Sequence, residues 1–201
     1  CSTAAFTPPE RAFPTVQEFV DTDLFFNDVV LLLPFDGADG ATTTTDESNS
    51  AQTTTFADNA QLDTSQFKFG TASALFDGSG DYIQVANSTD LQFGSDSFTL
   101  ECHVRFNGTQ TATGSPSTHN GVWLSKWTNS GAREWAWGWR SNGEIGFVYT
   151  INGTNGGGQG GGSGFLFGAW SPPADTWVHV AICRDGADLR MFVDGVQFGT
   201  T

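Results

Sequence analysis

Few residues in this chain have the type and spacing to do chemistry. Asp77 and Asp81 are separated by Gly-Ser-Gly, and two carboxylates with backbone carbonyls between them are the oxygen ligands that calcium takes. The same spacing suits a Gly-rich turn in which Asp side chains accept from nearby backbone N–H groups, and that is the expected role. The seven tryptophans raise sugar stacking, because an aromatic face packs against the apolar side of a pyranose ring. Trp135, Trp137 and Trp139 alternate, so on a strand they share one face, and they are read as core. Trp123 and Trp127 likewise share a face. A carbohydrate site at the rim would use Trp127 and Trp170, which stand at strand ends beside Asn- and Gly-rich loops.

Hydrolytic chemistry is not expected. A retaining glycosidase needs two carboxylates about 5–5.5 Å apart, which on a strand means acids at alternate positions of one face. The nearest alternation of acids is Asp21 and Asp23, near the N-terminus and outside the strand-bearing region. His103, His119 and His179 accompany no nucleophile motif such as Gly-x-Ser-x-Gly, so a catalytic triad is not expected either. The cysteines, Cys1, Cys102 and Cys183, are odd in number and far apart, which fits neither a disulfide scaffold nor a zinc site. Cys1 has three readings: a lipid-modified N-terminus, a chain that has lost its initiator Met, or the start of a fragment. The sequons at Asn87, Asn107 and Asn152 are read as accidents of an Asn- and Thr-rich composition.

The elements that must position these residues are strands. The chain has 201 residues and a net charge of −14, with a pI near 4.2, and such a surface repels phosphate backbones and anionic bilayers. Nucleic-acid partners and membrane insertion are therefore not expected. The longest apolar run, 29–35, contains Pro34, far short of the ~20 residues that cross a bilayer. Asp-Gly or Asn-Gly pairs recur from 36–37 to 194–195, and each tolerates the positive φ of a tight turn. Between them lie strand-like runs at 29–35, 73–77, 81–86, 98–106, 122–127, 134–140, 144–150, 165–167, 177–184 and 189–193. About ten short strands without a convincing helix imply an all-β sandwich or barrel.

Within this pattern, 98–106 alternates cleanly, with Phe98, Leu100, Cys102, Val104 and Phe106 on one side. The run 189–198 reads as a hairpin turning at Asp194-Gly195. Residues 41–55, rich in Thr and Ser, and 152–164, rich in Gly, are expected to be mobile surface loops. Residues 1–28 form a Pro-punctuated arm carrying Phe6, Phe13, Phe19, Phe25 and Phe26. Pro14 is placed to open a short helix there, and the arm is expected to dock on this domain or on a neighbouring subunit.

Six segments, 32–37 (LLPFDG), 69–78 (FGTASALFDG), 80–85 (GDYIQV), 97–101 (SFTLE), 177–181 (WVHVA) and 189–195 (LRMFVDG), together resemble the laminin-G-like, concanavalin A-like lectin/glucanase superfamily. The form resembled is its short jelly-roll version, common in secreted bacterial and bacteriophage proteins. The resemblance covers 28–201. It implies two stacked antiparallel sheets of about six strands, an antiparallel jelly-roll sandwich, with ligands on a concave face or its rim loops. Family members continue past the last hairpin with two further strands that this chain lacks. The resemblance also makes calcium a candidate at Asp77 and Asp81, although a pentraxin-type site would draw on the absent segment. The family's hydrolases carry a Glu-x-Asp-x-x-Glu-like strand that has no match here.

Likeness to the disulfide-linked strands of pentraxins implies a register that pairs Glu101 with Ala181 and His103 with His179. Two facing imidazoles can hold a metal or sense pH, but with no third ligand the pair reads as structural. The same register sets Cys102 opposite Val180 and Cys183 opposite Thr99, on different faces, so both thiols are expected to be free and buried. The function implied is a non-catalytic module displayed on an exterior surface: a bacteriophage decoration protein or tail fibre, anchored by the arm within an assembly, with a glycan as possible ligand. Two alternatives stand beside it, a bacterial surface lipoprotein or adhesin with Cys1 lipidated, and an accessory domain of a glycosidase.

Overall fold

A computed structural model describes residues 24–109, 121–127, 133–140, 143–150 and 163–198. They form β1 (Thr54–Ala57), β2 (Gln61–Asp63), β3 (Ser73–Leu75), β4 (Tyr82–Val85), β5 (Phe98–Arg105), β6 (Gly121–Trp127), β7 (Arg133–Arg140), β8 (Glu144–Thr150), β9 (Ser163–Ala169), β10 (Trp177–Asp185), β11 (Asp188–Val193) and β12 (Val196–Phe198). The only helical turns among the described residues are two 3-10 segments, Phe26–Asp28 and Thr89–Leu91, so no helix there is long and apolar enough to cross a membrane. The described residues gather into two compact units that divide between Ala86 and Asn87.

The second unit is an antiparallel two-sheet sandwich. One sheet has the order β12-β11-β10-β5 and the other β6-β7-β8-β9. Alternation places Val178, Val180, Ile182, Leu189 and Met191 of the first sheet against Trp135, Trp137, Ile145, Phe147 and Leu166 of the second. Burying each of the larger of these side chains is worth about 1.5–3 kcal/mol. Phe98, Leu100, Cys102 and Val104 pack on the same cluster, as the alternation of β5 predicts. The β11–β12 hairpin turns at Asp194 (φ +47°) and Gly195 (φ +76°), the two positive φ values of a type I′ turn. Strand β9 is longer than the sequence suggests; 152–162, at its N-terminal side, lie outside the described residues.

The first unit departs from expectation. Residues 29–35 do not form a strand. The Leu32 N–H donates to Asp46 Oδ1 (2.8 Å), its carbonyl accepts from Glu47 N–H, Pro34 has no N–H, and Phe35 turns to φ +59°. The stretch 41–55 is not a free loop either: Asp46 and Ser48 are buried and Thr54 opens β1. Strands β1 and β2, unmarked by apolar alternation, pair with β4 and β3 respectively. Leu62 is fully buried, and Ala60 and Ala72 are buried too. Gly37 lies against Leu62, where a Cβ would meet its Cδ1 at 2.7 Å. The arm residues 1–23, with the helix expected at Pro14, lie outside the described residues, and Leu24 and Phe25 at its end are exposed.

Candidate functional site

The side of the second sheet turned away from the core is unlike an ordinary polar sheet face. Two rungs cross it: Val122, Gly138, Gly146 and Phe167, then Ser125, Ala136, Val148 and Phe165. Three of the four middle positions, Gly138, Gly146 and Ala136, are small, because β7 and β8 alternate large residues on the core side with Ala and Gly on this one. Ala136, Gly138 and Gly146 are buried and form a floor. Phe165 and Phe167 stack at its side, with ring centroids 5.2 Å apart and planes 20° from parallel. Phe165 keeps 52% of its surface and Val122, on the opposite side of the floor, 45%. The result is an apolar shelf with an exposed aromatic ring at its margin, the surface a flat amphipathic ligand needs. Sequence reasoning missed Phe165; the alternation of Phe165 and Phe167 about Leu166 was the signal that marks it.

The tryptophans behave differently. Trp135, Trp137 and Trp139 are buried, as expected. Trp135 Nε1 donates to Leu91 O (3.0 Å) and Trp139 Nε1 to Trp170 O (3.1 Å). The Trp137 indole N–H has no hydrogen-bond partner, and Trp123 stands nearly perpendicular to its ring at 5.3 Å. Register shifts on either side of Trp123 and before Trp127 break the simple alternation of β6. Trp170 is half-buried, with its ring against Phe106 (6.2 Å) and Trp123 (6.1 Å). The ladder sets Trp127 opposite Arg133 at one end of the sheet, whereas Trp170 follows β9 at the other. Seven residues of strand along β7, roughly 23 Å, separate these ends, so Trp127 and Trp170 are not brought into one rim site. The Trp127 side chain lies outside the described residues.

Asp77 and Asp81 hold a turn together. Asp77 Oδ1 accepts from Ser79 N–H (2.7 Å) and Oδ2 from Asn59 Nδ2 (3.0 Å), while Asp81 accepts from Asn59 N–H (2.8 Å) and Asp77 N–H (2.6 Å). The Ser79 N–H and the Asn59 amide hold the Asp77 carboxyl below its ordinary value. Each of the four oxygens accepts one N–H, the arrangement of Asp side chains that tie a Gly-rich turn together. Among the described residues no three His, Cys, Asp or Glu side chains group to hold a metal ion.

In the first sheet the register is the one that the resemblance implies: Cys102 lies opposite Val180 on the core side, and Glu101 opposite Ala181, His103 opposite His179 and Cys183 opposite Thr99 on the outer side. Cys102 and Cys183 are free. Burial, with the neighbouring Glu101 charge, pushes the Cys102 thiol up to about 12, so it stays protonated and unreactive at neutral pH. The His103 and His179 rings lie 4.9 Å apart, and His179 Nε2 is 3.3 Å from Glu101 Oε2. A model of the laminin G type, described as the concanavalin A-like lectin/glucanases superfamily, matches residues 77–201. No curated protein matches the chain.

Proposed function

The chain belongs to the concanavalin A-like lectin/glucanase superfamily, and from that premise we propose that it is a non-catalytic carbohydrate-binding module displayed on a virion exterior, as a decoration protein or tail fibre. The observation that carries the binding role is the apolar shelf of the second sheet, with Phe165 exposed beside a floor of Ala136, Gly138 and Gly146. A pyranose lying on that floor stacks against Phe165, and small residues let it approach the backbone. Among the described residues, the spacing of the acids that flank the shelf favours a non-catalytic reading. Its flanking acids, Glu134 before Trp135 and Glu144 opposite Arg140, stand toward opposite ends of the strands. That separation is well beyond the roughly 5–9.5 Å that either glycosidase geometry requires. The high negative charge suits a neutral or cationic ligand and disfavours nucleic acid. Anchorage within the particle falls to residues 1–28.

A glycan array probed with the full chain tests the binding role. Binding to at least one glycan, weakened tenfold or more by Phe165→Ala, is the expected result. Loss on Trp127→Ala or Trp170→Ala with Phe165→Ala unaffected would move the site to a rim. No binding to any glycan would leave only a structural role. Labelling of intact particles with an antibody to the chain tests its display.

A further inference from the structure

We propose that the outer face of the first sheet carries a transition-metal site in which His103 and His179 chelate one divalent ion, with Glu101 holding His179 in place. The backbone sets the distance. His179 N–H donates to Asp194 Oδ1 (2.9 Å) and its carbonyl accepts from Asp194 N–H (2.9 Å), so both of its main-chain groups point toward β11 and away from β5. The His103–His179 pair is therefore of the close, non-hydrogen-bonded type, with Cα atoms about 4.5 Å apart and side chains drawn together.

The rings already have the spacing of a chelate. Metal–nitrogen bonds of about 2.1 Å meeting at an angle between square and tetrahedral place two imidazole centroids roughly 4.5–5.2 Å apart. The observed separation is 4.9 Å, with the planes tilted by 37°. Glu101 occupies the diagonal position across the strands, and its carboxylate faces Nε2 of His179. Metal-bound histidines characteristically give their other ring N–H to such a carboxylate, which assigns Nδ1 of His179 to the ion. The third protein group lies outside the coordination shell, which is why no three-ligand cage is present; water completes the sphere. Imidazole selects copper, nickel or zinc over magnesium or calcium, and copper(II) is the tightest of these. The bound ion ties β5 to β10 across the sheet.

Metal-free full chain titrated with copper(II), followed by calorimetry and electron paramagnetic resonance, tests the site. The expected result is one ion per chain, nitrogen hyperfine structure from two imidazoles, and a raised thermal midpoint. His103→Gln and His179→Gln each weaken binding tenfold or more, whereas His119→Gln leaves it unchanged. Glu101→Gln, at a side chain that keeps 65% of its surface and so should not disturb folding, weakens it by about 10-fold through loss of orientation alone. Affinity unchanged in both His103→Gln and His179→Gln, or no binding at about 1 mM ion, overturns the proposal.

Discussion

Asp46 lies buried with both carboxylate oxygens engaged: Leu32 N–H (2.8 Å) and Ser48 N–H (3.0 Å) on one, the Ser48 hydroxyl (2.9 Å) and Gln52 N–H (2.7 Å) on the other. Burial pushes its pKa up, but these donors outweigh it and hold the carboxyl below the ordinary 3.8. Because the folded value is depressed, the stabilisation is present above 3.8 and is lost as pH falls through the lowered value. Asp46→Ala leaves these donors without their acceptor and is expected to cost about 2–4 kcal/mol. Denaturant unfolding at pH 7 and again at pH 3 measures both effects, and the difference between variant and parent should narrow in acid. An unchanged difference would mean that the carboxylate charge does not matter. The composition of 41–55 implies a loop because Thr, Ser and Asp bury little apolar surface. The network joining Asp46 to Leu32, 14 residues away, has no local signature.

At the scale of elements, β10 alternates Val178, Val180, Ile182 and Arg184 toward the core, so a cation is buried where a fourth aliphatic residue would continue the pattern. Arg184 is satisfied by carbonyls: Nε donates to Asp96 O (2.9 Å) and Nη2 to Gly94 O (2.9 Å), with a further short contact from Nη2 to Asp96 O. Its guanidinium also lies over Phe98 (5.3 Å) and Tyr149 (5.5 Å), which adds cation–π attraction from both sheets. Tyr149 in turn covers Gly164, where a Cβ would come within 2.5 Å of the ring. Arg184→Met keeps most of the stem volume and removes the donors, and a loss of about 2–4 kcal/mol is expected. A chemical-denaturation midpoint within error of the parent would show that Arg184 does not fasten the 93–96 turn to the sheet. The strands of the sandwich were legible because Val, Ile, Phe and Trp alternate with turn pairs between them. Residues 29–35 misled because an apolar run reports burial, whereas a strand also needs a neighbour to take its N–H and C=O groups.

For the molecule as a whole, the charge of −14 makes self-repulsion a standing cost of compactness. Raising NaCl from about 20 to 200 mM shortens the screening length severalfold and is expected to raise the thermal midpoint, with no retardation of DNA or RNA in a gel shift at either concentration. A midpoint that falls with salt would assign a larger role to surface ion pairs such as Arg105–Asp175 (2.9 Å). The sequence by itself determined the all-β class, the alternation of β5, the Asp194-Gly195 turn and the core placement of three tryptophans, since each depends on neighbours within a few residues. The family likeness supplied the His103–His179 register. Only the tertiary structure decided that Trp127 and Trp170 stand at opposite ends of one sheet, that Asp77 and Asp81 serve their own turn, that Glu101 reaches His179, and that Phe165 borders an apolar shelf. These depend on which strands lie side by side and in what order, and strand order is set by packing between residues tens of positions apart.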